Sequence, residues 1–175
     1  RRRDIKRLFA YSSIEHMGII VFAFGMGGPL ANFAGLLHMV MHSLTKSAIF
    51  FSVGHVAQIK GTQRIAEIRG LTQSHPLLGW GLALGVFMSE FLLITSTFAR
   101  SPALALLLVF GLLVAFGALL LRLAGFLFGE PTGDMKPAKA SFVPMYAHMA
   151  LVLLAGIHLP EPMVAWFQAV ARLLG

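Results

Sequence analysis

Apolar residues dominate this chain in long runs, and the polar interruptions between them are short. A helix that crosses a bilayer needs roughly 20 apolar residues, and five runs approach that length. The first covers residues 8–24, follows a basic segment and closes at Gly25-Met26-Gly27-Gly28-Pro29. The second covers 30–57 and gives way to a polar stretch, Gln58 to His75, holding Lys60, Arg64, Glu67 and Arg69. Further runs cover 76–98, 103–128 and 142–159, divided by Arg100-Ser101-Pro102 and by a loop from Gly129 to Ser141. Pro160-Glu161-Pro162 then opens an amphipathic tail, 160–175, with Trp166 and Arg172, of the kind that lies in a membrane interface. The pattern predicts an all-α, polytopic transmembrane helix bundle of about five spans.

Composition supports that class. Hydrophobic residues make up 57% of the chain and charged residues 12%, whereas soluble domains are about a quarter charged. The net charge of +7 invites a nucleic-acid reading. Placement of the charge excludes it. Arg1, Arg2, Arg3, Lys6 and Arg7 cluster ahead of the first run, and most other basic residues sit in the short segments between runs. Membrane proteins distribute Lys and Arg that way, as topology signals, while a DNA-binding face needs a basic stripe on a folded surface. The alternation of the N-terminal cluster, the Lys60 to Arg69 segment and the Lys136/Lys139 loop with less basic loops predicts a cytoplasmic N-terminus. The absence of cysteine excludes disulfides and thiolate chemistry. An Arg at position 1 and an apolar run almost immediately after it mark the chain as part of a longer protein.

Ionisable residues inside the apolar runs carry the candidate chemistry. His38, His42 and Lys46 recur every fourth position, which places them along one helix face with about 6 Å of rise between neighbours. A Lys inside a span costs several kcal/mol unless it faces a wet cavity or a partner. A ladder of two His and a Lys can hold and pass protons near physiological pH. Histidines at i and i+4 also suit a metal, but the Glu of an H-E-x-x-H site is missing and Met39-Val40-Met41 is apolar; no metal is expected. Packing alone explains a buried His, yet it does not call for the full charge of Lys46. Glu90, among Val86, Phe87, Met88, Phe91 and Leu92, is the second feature. A carboxylate in hydrocarbon needs a cation or a proton, and Lys46 is the expected partner. At the entry to the first run, Asp4 and Lys6 lie where charges often anchor a helix by snorkelling. Glu15 and His16 lie deeper, and His148 stands inside the fifth run.

The segments "DIKRLFAYSSIEHMGII" and "HMVMHSLTKSAIFF" resemble the antiporter-like membrane subunits shared by respiratory complex I, multisubunit Na⁺/H⁺ antiporters and complex-I-like membrane hydrogenases. "SSIEHMG" and "HSLTKS" are most similar to the hydrogenase-4 component F branch. The resemblance is strong from Asp4 to about Arg100 and general beyond it. It implies a C-terminal fragment of a larger proton-translocating helix bundle that carries no cofactor of its own. It further implies that His38, His42 and Lys46 form one element of a hydrated polar axis, Glu90 in "FMSEF" a second, and Asp4 with Lys6 the polar pair at the helix start. One departure stands out. Relatives interrupt the stretch between "PLLGWGL" and "SEF" with a Pro-containing break, and "PLLGWGLALGVFMSEFLLI" runs straight through.

The expected function is proton movement within a hydrogenase-type or NADH:quinone oxidoreductase-type complex, with Lys46 and Glu90 exchanging protons and His38 and His42 relaying them. The implied partners are other membrane subunits, a peripheral redox arm, the lipid bilayer and protons, in the cytoplasmic membrane of a bacterium or archaeon. Two alternatives stay open at this stage: a subunit of a Na⁺/H⁺ antiporter working without a redox partner, and a non-conducting anchor.

Overall fold

A computed structural model describes residues 4–97, 102–131 and 141–175. They form helices α1 (Ile5–Met26), α2 (Pro29–Lys60), α3 (Leu71–Ser74), α4 (Pro76–Thr97), α5 (Pro102–Phe128), α6 (Val143–Ile157) and α7 (Glu161–Leu173). The described residues contain no strand beyond an isolated bridge between Asp4 and Arg64. The all-α expectation therefore holds.

Local chemistry sets the helix ends. Asp4 caps α1, its carboxylate accepting the Arg7 backbone N–H at 3.0 Å, as an N-cap side chain does. Gly27 and Gly28 both take positive φ, 65° and 80°, a conformation that only glycine adopts without cost. Pro29, pre-set for a first helical turn, then starts α2. The result is a tight antiparallel hairpin. α2 has 32 residues and, at about 1.5 Å each, is about 48 Å long, well beyond a hydrocarbon core of about 30 Å. Gly61 ends it in the left-handed region, its N–H returned to the Ala57 carbonyl. Beyond it, the Thr62 hydroxyl donates to Glu67 at 2.6 Å and Arg64 pairs with Glu67 at 3.2 Å. The Thr62 hydrogen bond, then Arg64, hold that exposed carboxyl below its ordinary range.

α2 is the hub, packing against α1, α4, α6 and α7. The larger core gathers where α1 begins and α2 ends. Ile5, Phe9, Ile49, Val53, Val56, Ile68, Leu71, Leu78 and Leu82 are buried there, with Leu123, Phe126 and Met145 from α5 and α6. α3 and α4 meet closely enough that a Cβ on Gly79 falls 2.6 Å from the Thr72 backbone nitrogen. Gly79→Ala is therefore expected to cost about 1–3 kcal/mol by overpacking, read as a lower midpoint of thermal unfolding in detergent. A second, smaller core lies at the hairpin end. Phe167 and Ala171 of α7 sit on Leu36, with Phe24 and Phe33 beside them. The Gly28 N–H donates to the Gly175 carbonyl at 2.8 Å, and the Asn32 amide donates to the Ala171 carbonyl at 3.3 Å.

Three helices among the described residues are long and apolar enough to cross a membrane: Ile5–Met26, Pro29–Lys60 and Val109–Phe128. α6 and α7 make a fourth if taken together, bent by 76° at their junction. The run expected over 142–159 thus yields a helix of 15 residues, about 22 Å, because the chain turns at Pro160. The tail expected over 160–175 does form a helix, and it folds back onto the hairpin. α4 is one uninterrupted helix through the stretch before Glu90, as "PLLGWGLALGVFMSEF" predicts. Glu90 itself is on α4, and its side chain lies outside the described ones.

Candidate functional site

On α1 the residues turned inward are Ile5, Leu8, Phe9, Ser12, His16 and Ile20, a spacing of three and four that defines one helix face. On α2 the matching face carries His38, His42, Thr45 and Lys46 among its buried residues. Antiparallel packing brings the two series together in reverse order. Ser12 and Lys46 are equidistant from Pro29 along the chain, and so are His16 and His42. The structure pairs them accordingly.

The Lys46 ammonium donates to the Ser12 hydroxyl at 2.7 Å, and its Nζ lies 6.0 Å from the centre of the Phe9 ring. One turn further along α1, His16 Nδ1 is 3.2 Å from His38 Nε2. That is a hydrogen bond whose direction depends on which ring carries the proton. The His16 and His42 ring centroids are 4.8 Å apart, and those of His16 and His38 are 5.4 Å apart and stacked. One ring nitrogen from each histidine falls within 4.8 Å of the others. All three rings are buried, as are Ser12 and Lys46. His38 Nδ1 and His42 Nδ1 meet no hydrogen-bond partner among the described residues, a rare condition for buried nitrogen and one that usually marks function or a bound water or ion.

The arrangement can hold and shift protons. An imidazole takes a proton on one nitrogen and releases one from the other. The His16–His38 contact is already within transfer distance. The Ser12 hydroxyl accepts from Lys46 while keeping a proton of its own to donate.

Of the residues expected from sequence, His16, His38, His42 and Lys46 gather at this cluster. Asp4 and Lys6 do not. Asp4 is occupied as the α1 cap, and Lys6 is exposed, about 9 Å from Ser12 along the axis. Glu15 is half-buried beside His16 on the helix. The expected pairing of Glu90 with Lys46 lies outside the described side chains. Ser12 is the contributor that sequence reasoning passed over; its place four residues before His16 was the available signal. Asn32, Ser52 and His55 are also buried polar residues of α2. Ser52 donates to its own helix at Ala48, and His55 meets Phe142 edge to face.

Residues 1–117 match the family described as "NADH:quinone oxidoreductase/Mrp antiporter, TM". Among curated proteins, the chain is 60% identical over 185 residues to a "Hydrogenase-4 component F homolog" of Methylacidiphilum infernorum, covering 99% of this chain and 39% of that one. It is 30% identical to the "F(420)H(2) dehydrogenase subunit M" of Methanosarcina mazei, covering 88% and 34%. It is 29% identical to the "NADH-quinone oxidoreductase subunit M" of Pseudomonas aeruginosa, covering 92% and 34%. The chain thus spans between a third and two fifths of the length of these relatives. The first alignment is also longer than the chain's 175 residues, so that relative carries residues with no counterpart here.

Proposed function

The chain belongs to the NADH:quinone oxidoreductase/Mrp antiporter transmembrane family, and from that premise we propose that it is part of a proton-translocating subunit of a complex-I-like membrane assembly, of hydrogenase or NADH:quinone oxidoreductase type. The observation that carries this reading is the buried Ser12–Lys46 and His16–His38–His42 cluster across the α1–α2 hairpin. An ionisable group in a span is expensive, and proton relays are among the uses that retain it. Lys46 stores the proton against Ser12, and the three imidazoles pass it along the hairpin. Glu90 is the proposed acceptor or donor on α4. The cluster does no redox chemistry; its protons are driven by whatever reaction the rest of the assembly performs. The proposed setting is the cytoplasmic membrane of a bacterium or archaeon, with further membrane subunits and a peripheral redox arm as partners.

Affinity purification of the full-length subunit from its native membrane in mild detergent, with co-purifying proteins identified by mass spectrometry, tests this directly. Recovery of a metal-containing hydrogenase or NADH-oxidising arm is the expected result. The family's description also names the Mrp antiporters, and recovery of small membrane subunits alone would move the assignment to a stand-alone cation/proton antiporter.

Ser12→Ala gives a smaller, local test. It removes one hydrogen-bond acceptor of the Lys46 ammonium, and is expected to slow proton transfer severalfold while leaving fold and subunit assembly unchanged. Proton uptake into vesicles, compared with the amount of assembled protein, reads the effect.

A further inference from the structure

Two of the three histidines come from α2, at the i, i+4 spacing that alone says little. The third, His16, comes from α1 and completes a set that no single stretch of sequence contains. We propose that His16, His38 and His42 form a binding site for a divalent transition-metal ion that prefers nitrogen, such as Zn²⁺ or Co²⁺, and that filling it blocks the relay. Zinc lies about 2.0–2.1 Å from histidine nitrogen, so nitrogens around it stand about 3.3 Å apart. The His16–His38 pair, at 3.2 Å, already has that separation. His42 reaches it by a shift of about 1.5 Å or less from a cluster in which all three nitrogens lie within 4.8 Å.

The donor chemistry selects the ion. Among the described residues the set is three imidazoles without a carboxylate, which suits Zn²⁺, Co²⁺ or Cu²⁺ and offers little to Mg²⁺ or Ca²⁺, which take oxygen. Three protein ligands leave a fourth position for water, the pattern of open zinc sites. Among the described residues the buried Nδ1 atoms of His38 and His42 have no hydrogen-bond partner, so no described hydrogen bond on that side holds the rings against reorienting. A ring nitrogen bonded to a metal has no lone pair left to take a proton. The blocking effect therefore rests on the relay proposed above, whereas binding itself does not.

The test uses the full-length subunit with a histidine-free affinity tag, stripped with chelator and titrated with Co²⁺. Expected is saturable binding of one Co²⁺ per subunit with visible d–d absorption, displaced by Zn²⁺. Dissociation constants should rise by more than about tenfold in His16→Gln and in His42→Gln, and stay unchanged in His148→Gln. Absence of saturable binding, or binding indifferent to His16→Gln and His42→Gln, would overturn the site. X-ray absorption at the zinc edge of the unmodified protein gives an answer independent of variants. A shell containing three histidine nitrogens supports the site, and a shell of oxygen alone overturns it. Zinc is also expected to arrest proton uptake in vesicles. Uptake that continues with the site filled would leave the metal site standing and count against the relay.

Discussion

Lys46→Met in the full-length subunit is expected to abolish coupled proton movement while the assembly forms in normal amount. Met fills nearly the same space as Lys, so the space beside Phe9 stays filled. It also removes the charge of a residue only 6% exposed; such a change is neutral where a whole buried pair is replaced and costs stability where one partner is left behind, so the amount of assembled protein is measured beside the rate. A purely structural Lys46 predicts a variant whose activity falls only as far as its assembled amount does. A proton-carrying Lys46 predicts a well-folded, silent one, with transfer reduced by about a hundredfold or more. The decisive readout is the pH gradient formed in inverted vesicles per turnover of the driving reaction. Wild-type gradients in the variant would remove Lys46 from the pathway.

His38→Leu is expected to lower the same rate by about a hundredfold, the usual scale for losing a positioned acid–base group. His148→Leu is the matched control. His148 also sits inside an apolar helix, but its Nδ1 donates to the Pro144 carbonyl at 2.7 Å, one turn back on the same helix. Its ring meets Phe51 edge to face, away from the cluster. If both substitutions slowed transfer equally, the loss would come from disturbed packing and the relay would lose its support.

Much of this arrangement was readable before any coordinates. The basic flanks and apolar runs identified the class, and the fourfold spacing of His38, His42 and Lys46 put them on one face. The hairpin register was readable too, in Gly27-Gly28-Pro29. A two-glycine turn forces antiparallel neighbours, and counting outward from Pro29 sets His16 against His42 and Ser12 against Lys46. That count makes Ser12 visible. A carboxylate ahead of a helix, such as Asp4, has two uses that look alike in sequence, capping and proton handling; the structure shows the first, with the backbone N–H of Arg7 donating to it. The fold-back of α7 was not legible. Amphipathicity shows that a helix has an apolar face, but which surface covers Phe167 and Ala171 depends on the 76° bend between α6 and α7.

The two apolar cores have an electrical consequence. Phe9 and its neighbours close the hairpin below Lys46, and α7 with Leu36 and Phe24 closes it at the Gly27-Gly28 turn. Apolar packing thus lies at both ends of the Lys46–histidine cluster along the α1–α2 axis. On the proposed relay, protons therefore enter and leave sideways, through whatever packs against the flank of the helix pair. That geometry suits the proposed relay, because an element that stored charge with either end open would act as a short circuit.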